Sequence, residues 1–201
     1  MTTLYIVRHG QSKANAAGIL QGSLINTPLS EKGQIQAKNV HDAFEKKSLH
    51  FDLVFASPLL RAAQTAAIIA PEATTIFDER LKEFDYGDWD GQKVVDIHRL
   101  FAEFFDEKKN LLPDSEKVSH GDDFASVTAK LDDFLNELAL NYPTQEILVA
   151  SHGFTIKLLL NAILEINNLS SLNEPHNAGL TKIELTTSTR TLVYFNRDLT
   201  E

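Results

Sequence analysis

Three short segments of this 201-residue chain carry side chains able to handle a phosphoryl group: Arg8-His9-Gly10, Ser57 with Arg61 four residues on, and Ser151-His152-Gly153. A lone histidine is ordinarily structural and a lone arginine ordinarily solvated, so each segment alone says little. Their conjunction says more. Arginine is a permanently charged planar fork, and two forks converging on one point suit a dianionic tetrahedral group. A neutral imidazole between them is a competent nucleophile toward phosphorus. A phosphohistidine formed there would need no metal, because the arginines would stabilise the charge spreading over the phosphoryl oxygens. Helix N-termini beginning near Ser57 and Gly153 would add backbone N–H groups.

Whether the segments meet depends on the elements that carry them. Residues 4–7, 52–56 and 147–150 read as short buried strands, and 73–77 as a weaker one. Helices are expected from an N-cap at Ser30 to Lys46, and from an N-cap at Ser57 with Pro58 at the first helical position to about Ala70. Further helices are expected over 93–108, from an Asp122 N-cap to near Asn141, and over 154–166. Residues 181–187 and 191–196 flank Ser188-Thr189-Arg190 as a terminal hairpin. This alternation predicts an α/β fold: a single-domain three-layer sandwich, mostly parallel, with an antiparallel edge strand and helices on both faces. The whole of 1–201 reads as one domain, with the irregular stretch 81–121 laid over one end as a cap. Ligands in such sheets sit beyond the carboxyl ends of the strands, and all three segments directly follow a strand. A third His-Gly, His120-Gly121, follows a polar loop, and His120 reads as a helix-entry residue.

Composition narrows the partners. The net charge of −9 argues against nucleic acid or an anionic membrane as a partner. There is no cysteine, which excludes disulfides, thiolate metal sites and cysteine nucleophiles. No apolar run approaches the ~20 residues that span a bilayer, and the first residues read as a strand instead of a secretion signal, so a cytoplasmic location is expected. No Walker loop is present, and Asp88-Trp89-Asp90-Gly91 fails the register of a calcium loop.

The segment from Leu4 to Asn15, LYIVRHGQSKAN, resembles the signature of the histidine phosphatase superfamily, which includes the cofactor-dependent phosphoglycerate mutases. The likeness continues in ordered blocks: Leu20-Gln21-Gly22, Thr27-Pro28-Leu29-Ser30, Ser57-Pro58-Leu59-Leu60-Arg61, Leu81-Lys82-Glu83, Gly87-Asp88-Trp89-Asp90-Gly91, Ser151-His152-Gly153 and Asn177-Ala178-Gly179. The resemblance implies that His9 is the phosphorylated nucleophile and that Arg8, Arg61 and His152 hold the phosphoryl oxygens. It implies that Gly10, Asn15, Gln21 and Gly22 line the phosphate pocket. It also picks Glu83 as the proton donor, which spacing alone does not, since Asp78, Glu79, Asp85, Asp88 and Asp90 crowd the same stretch.

The chain departs from the family in places. Gly121-Asp122-Asp123 stands where many members have Gly-Glu-Ser, and Phe154 follows the second His-Gly where mutases carry a small polar residue. The stretch 92–121 lacks the adjacent arginines with which mutases grip a second anionic group, and holds Phe101, Phe104 and Phe105 instead, as packing or as a substrate wall. Trp89 reads as a packing anchor for its loop. The expected activity is a phosphatase acting on a small phosphorylated metabolite, with no cofactor and no metal. The alternatives are a phosphoglycerate mutase and, more remotely, a non-catalytic phospho-ligand or protein-binding module.

Overall fold

The computed structural model describes residues 1–199; Thr200 and Glu201, the end of the expected single domain, lie outside the described residues. Among the described residues six strands form one mixed sheet: β1 (Thr2–Arg8), β2 (Leu53–Ala56), β3 (Thr75–Phe77), β4 (Glu146–Ser151), β5 (Leu180–Leu185) and β6 (Arg190–Arg197). Their order across the sheet is β3-β2-β4-β1-β5-β6. β1 to β4 pair in parallel, whereas β5 runs antiparallel to both β1 and β6. The antiparallel strand therefore lies one place in from the edge, and β6 forms the edge.

Alternation of side chains across the sheet divides the core. Tyr5, Val7, Val54, Ala56, Leu148 and Ala150 face helices α2 (Glu31–Lys46) and α3 (Leu60–Ile69), whose Ala37, Val40, Phe44, Ala66 and Ile69 close that layer. Leu4, Ile6, Phe55, Ile147, Val149 and Ile183 face the other way, onto α6 (Phe124–Asn141) and α7 (Gly153–Leu164). Strands buried on both faces are what a parallel sheet flanked by helices requires. Among the described residues no helix is long and apolar enough to cross a membrane.

Several helix boundaries differ from expectation. Ser57 is not an N-cap: α3 starts at Leu60 after an extended Leu59, and the Ser57 hydroxyl is engaged elsewhere. Asp123, not Asp122, caps α6, its carboxylate accepting the Ser126 N–H at 2.9 Å. The helix expected over 93–108 stops early, as α4 (Val94–Leu100), followed by a single tight turn at Ala102–Phe104. Two one-turn helices were not anticipated, α1 (Lys13–Ala16) and α5 (Glu116–Ser119). Both fall short of the length at which periodicity is detectable. His120 closes α5 in a left-handed conformation (φ 58°) and pairs with Asp88 at 2.7 Å, outside any catalytic cluster.

The irregular stretch is rooted in the core. Leu81, Phe84, Tyr86, Trp89, Ile97 and Leu111 are buried in the layer formed with α6 and α7. Trp89 packs against Phe101, Phe104 and Phe105 with centroid separations of 4.8, 6.0 and 5.9 Å. Phe101 and Phe104 are thus packing residues, and Phe105 alone of the three also lines the cleft described next.

Candidate active site

Strand register brings the distant segments together. Arg8 pairs with Ser151 across β1 and β4, and Ala56 with Ala150 across β2 and β4. The chain leaves all three strands at one level, so His9, Ser57 and His152 emerge side by side. The His9 and His152 rings meet edge to face, 5.0 Å apart. Above them opens a cleft of about 250 Å³, lined among others by Arg8, His9, Asn15, Gln21, Glu83 and Tyr86.

His9 is held in one tautomer. Its Nδ1 lies 2.7 Å from the Gly10 carbonyl, which can only accept. Nδ1 therefore carries the proton and Nε2 keeps its lone pair. The ring of His152 is fixed by the Ser57 hydroxyl, 2.7 Å from Nε2. That hydroxyl accepts from Leu59 N–H and has no other acceptor among the described residues, so it donates to His152 and leaves the proton on Nδ1. Burial, the Arg61 charge and the neighbouring cations push both histidines well below the usual histidine range.

Arg61 is fully buried. Its two terminal nitrogens donate to the Ile25 and Gly22 carbonyls at 2.8 and 3.0 Å, tying the loop 22–25 to the start of α3. Burial lowers its pKa to about 10, still far above neutrality. Arg8 donates to the Pro175 carbonyl at 2.6 Å and pairs with Glu174 at 3.3 Å. Among the described residues, the buried side-chain nitrogens without a hydrogen-bond partner are Arg8 Nε, Arg61 Nε and His152 Nδ1. All three belong to the strand-end segments. Buried donors are rarely left unpaired; Arg8 lines the cleft, whereas Arg61 and His152 are fully buried and not among its lining residues, and all three nitrogens lack an acceptor.

Glu83 enters from the irregular stretch. Its Oε1 accepts the Phe84 and Thr155 N–H groups at 3.0 Å each, and Oε2 only a long 3.4 Å bond from Phe154 N–H. The carboxyl thus occupies the N-terminus of α7, and those N–H groups, expected above to meet the ligand, are already in use. Burial raises the Glu83 pKa, and nearby Glu174 adds to the effect, against the pull of Arg61 and Arg8.

The other residues picked out in the sequence divide. Asn15 caps α1 reciprocally with Ser12 while lining the cleft. Gln21 also lines it, with its amide nitrogen bonded to Thr27 at 2.7 Å. Gly10 and Gly22 do not reach the cleft wall. The Gly10 N–H is taken by Thr65 Oγ1, and a Cβ at Gly10 would fall 2.3 Å from the Gly33 carbonyl oxygen, so glycine there admits the start of α2. Gly22 carries Arg61 on its carbonyl and Asp90 on its N–H. Sequence reasoning missed Tyr86, Lys157 and Glu174, which line the cleft from three separate segments. Lys157 left one signal, a lone cation in the otherwise apolar run of α7.

The histidine shifts have a thermodynamic consequence. Above pH ~6.5 both histidines are neutral folded or unfolded. As the pH falls below that value the unfolded chain takes up protons that the native chain refuses, so stability drops with acid until the folded-state values are reached. Glu83 acts with the opposite sign: its raised pKa contributes stability at low pH that is lost as the pH rises through the folded-state value. We expect the unfolding free energy from urea titration, and with it the midpoint, to fall between pH 7 and pH 5.5, the free energy by up to ~1.4 kcal/mol per pH unit for each histidine, and the fall to be shallower in His152→Asn. A wild-type midpoint that rises on acidification, or parallel slopes in the two proteins, would contradict this origin.

Comparison with known proteins agrees with the geometry. The sequence pattern of the histidine phosphatase superfamily (branch 1) matches residues 4–198. Phosphoserine phosphatase 1 of Hydrogenobacter thermophilus is 31% identical over 171 residues, spanning 83% of this chain and 78% of its own. The adenosylcobalamin/alpha-ribazole phosphatase of Salmonella typhi is 32% identical over 168 residues, 80% of this chain and 79% of its own. The solved structure of Bacillus stearothermophilus YhfR superposes with a TM-score of 0.86 at 26% identity, covering 100% of both chains. On a match running almost end to end, the chain belongs to the histidine phosphatase superfamily, branch 1.

Proposed function

We propose that the protein hydrolyses a small phosphomonoester through a phosphohistidine at His9. The three unpartnered donors, Arg8 Nε, Arg61 Nε and His152 Nδ1, carry this reading. Phosphoryl oxygens are the acceptors they lack, and donors aimed at developing charge in a dry site stabilise the transition state most. In the first step His9 Nε2 attacks phosphorus and the bond from phosphorus to the ester oxygen breaks. The leaving alkoxide takes a proton from Glu83. The heavily bonded Oε1 is the acceptor side of that carboxyl, so the mobile proton belongs on Oε2. In the second step Glu83 removes a proton from water, the hydroxide attacks phosphorus, and the bond from phosphorus to Nε2 breaks. Inorganic phosphate leaves and both side chains return to their starting states. The phosphatase names of the two sequence relatives support hydrolysis over mutase chemistry. The stretch 81–121 serves as the cap of the site, contributing Glu83 and Tyr86 to the cleft wall.

The test is a panel of phosphomonoesters scored for released inorganic phosphate, with phosphoglycerates also scored for isomer interconversion. Hydrolysis without interconversion is expected. Because charge neutralisation is assigned to Arg8, Arg61 and His152, chelator should leave the rate unchanged. Loss of activity in chelator, restored by magnesium or manganese, would remove that assignment.

A further inference from the structure

Lys157 is an anomaly that phosphoryl chemistry does not explain. It sits on α7 with 1% of its surface exposed, yet it lines the same cleft as His9. An ammonium has three donors. Here Nζ makes one long bond, 3.3 Å to Asn110 Oδ1, and lies 5.5 Å from the centre of the Phe154 ring. Among the described residues no carboxylate comes within salt-bridge distance of it; Glu174 and Asp106 act from farther off. A buried ammonium held by one weak amide contact is expensive unless an anion completes it. Asn110 is held in place for the role, its side-chain nitrogen donating to Asp106 at 2.9 Å and its N–H to the same carboxylate at 2.8 Å.

We propose that Lys157, steadied by Asn110, is a specificity-determining residue that binds a carboxylate on the substrate, at the end away from the phosphoryl group. The inference rests on the phosphatase reading above. A carboxylate fits better than a second phosphate. Besides Arg8, the lysines on this cleft are the buried Lys157 and the exposed, solvated Lys109; neither is an arginine fork, and Glu174, on the same cleft, opposes a further dianion. The substrate class is therefore a small phosphorylated carboxylic acid.

The experiment compares substrates that differ in the carboxylate: phosphoserine against phosphoethanolamine, and 3-phosphoglycerate against glycerol 3-phosphate. Release of phosphate is measured for the wild type, Lys157→Met and Asn110→Asp. In at least one pair the wild type should favour the acid about tenfold or more in kcat/KM, the range of a charge-assisted bond, and mainly through KM. Lys157→Met should erase that ratio. It removes a buried charge and keeps the stem, so it should fold. Asn110→Asp supplies the ammonium with an internal carboxylate, at the expense of the bond to Asp106, and should erase the ratio without touching Lys157. A wild type indifferent to the carboxylate in both pairs, or a preference that survives in both variants, would overturn the proposal while leaving the phosphatase intact. A sugar bisphosphate that loses more than the acids in Lys157→Met would also overturn it, in favour of a second phosphate. A wild type that hydrolyses none of these esters, nor nitrophenyl phosphate, would instead defeat the phosphatase reading itself.

Discussion

His9→Ala is expected to lose turnover by roughly 10⁴-fold or more, the scale seen when the nucleophile of a covalent mechanism is removed. The fold should survive. His9 follows the last residue of β1 and its ring makes one hydrogen bond, to the carbonyl of its own neighbour. Deleting it leaves β1 paired to β4 and β5 through its backbone. The variant also loses a buried imidazole that resists protonation, so its stability should depend less on pH below ~6.5. The measurement pairs steady-state hydrolysis with circular dichroism and urea unfolding at two pH values. A folded His9→Ala protein with near-normal activity would remove the phosphohistidine from the mechanism.

Glu83→Gln should show a loss that depends on the leaving group. An alkyl phosphate leaves as a strongly basic alkoxide and needs a proton in the transition state, whereas nitrophenyl phosphate leaves as a stable phenolate. General acid catalysis contributes roughly 10²–10⁴-fold, and most of that range should disappear for phosphorylation of His9 by an alkyl ester. Far less should disappear for the same step with nitrophenyl phosphate. There a burst is expected, because the variant also lacks the base for the second step. Glutamine keeps an oxygen for the Phe84 and Thr155 N–H groups, so the end of α7 remains covered. Asp85→Asn is the control. The Asp85 carboxylate accepts the Gly87 N–H at 2.7 Å and its own N–H donates to Asp122, so it secures the loop. Single-turnover kinetics on both substrates decides the matter. Equal losses on the two, or a larger loss in Asp85→Asn, would assign the proton to another group.

Much of this molecule is legible along the chain, because the determinants are local. Residues 4–7 and 147–150 are apolar runs too short for helices and rich in β-formers, and each is followed, one residue on, by a His-Gly. Strand, turn and histidine lie within a few residues of one another, so the alternating pattern alone places Arg8, His9 and His152 on one rim. The same locality misled at Ser57. Ser-Pro is a strong helix start, but the hydroxyl found His152, 95 residues away, and the helix began at Leu60. The resemblance, not the spacing, drew Glu83 from among six neighbouring acids; burial against the Phe154 and Thr155 N–H groups is what distinguishes it physically.

Tertiary structure alone decided the chemistry of the remaining groups. Lys157 reads in the sequence as a stray cation within an apolar helix, and its meaning depends on Asn110, 47 residues earlier, and on Glu174 in the loop after α7. Likewise the three unpaired donors become visible only once every other partner is placed. Sequence by itself determined the order of elements and the residues delivered to the strand ends, because periodicity and capping act over a few residues. Burial, tautomer and the absence of a partner are properties of the assembled surroundings. They were decided when segments far apart in the chain closed over one cleft.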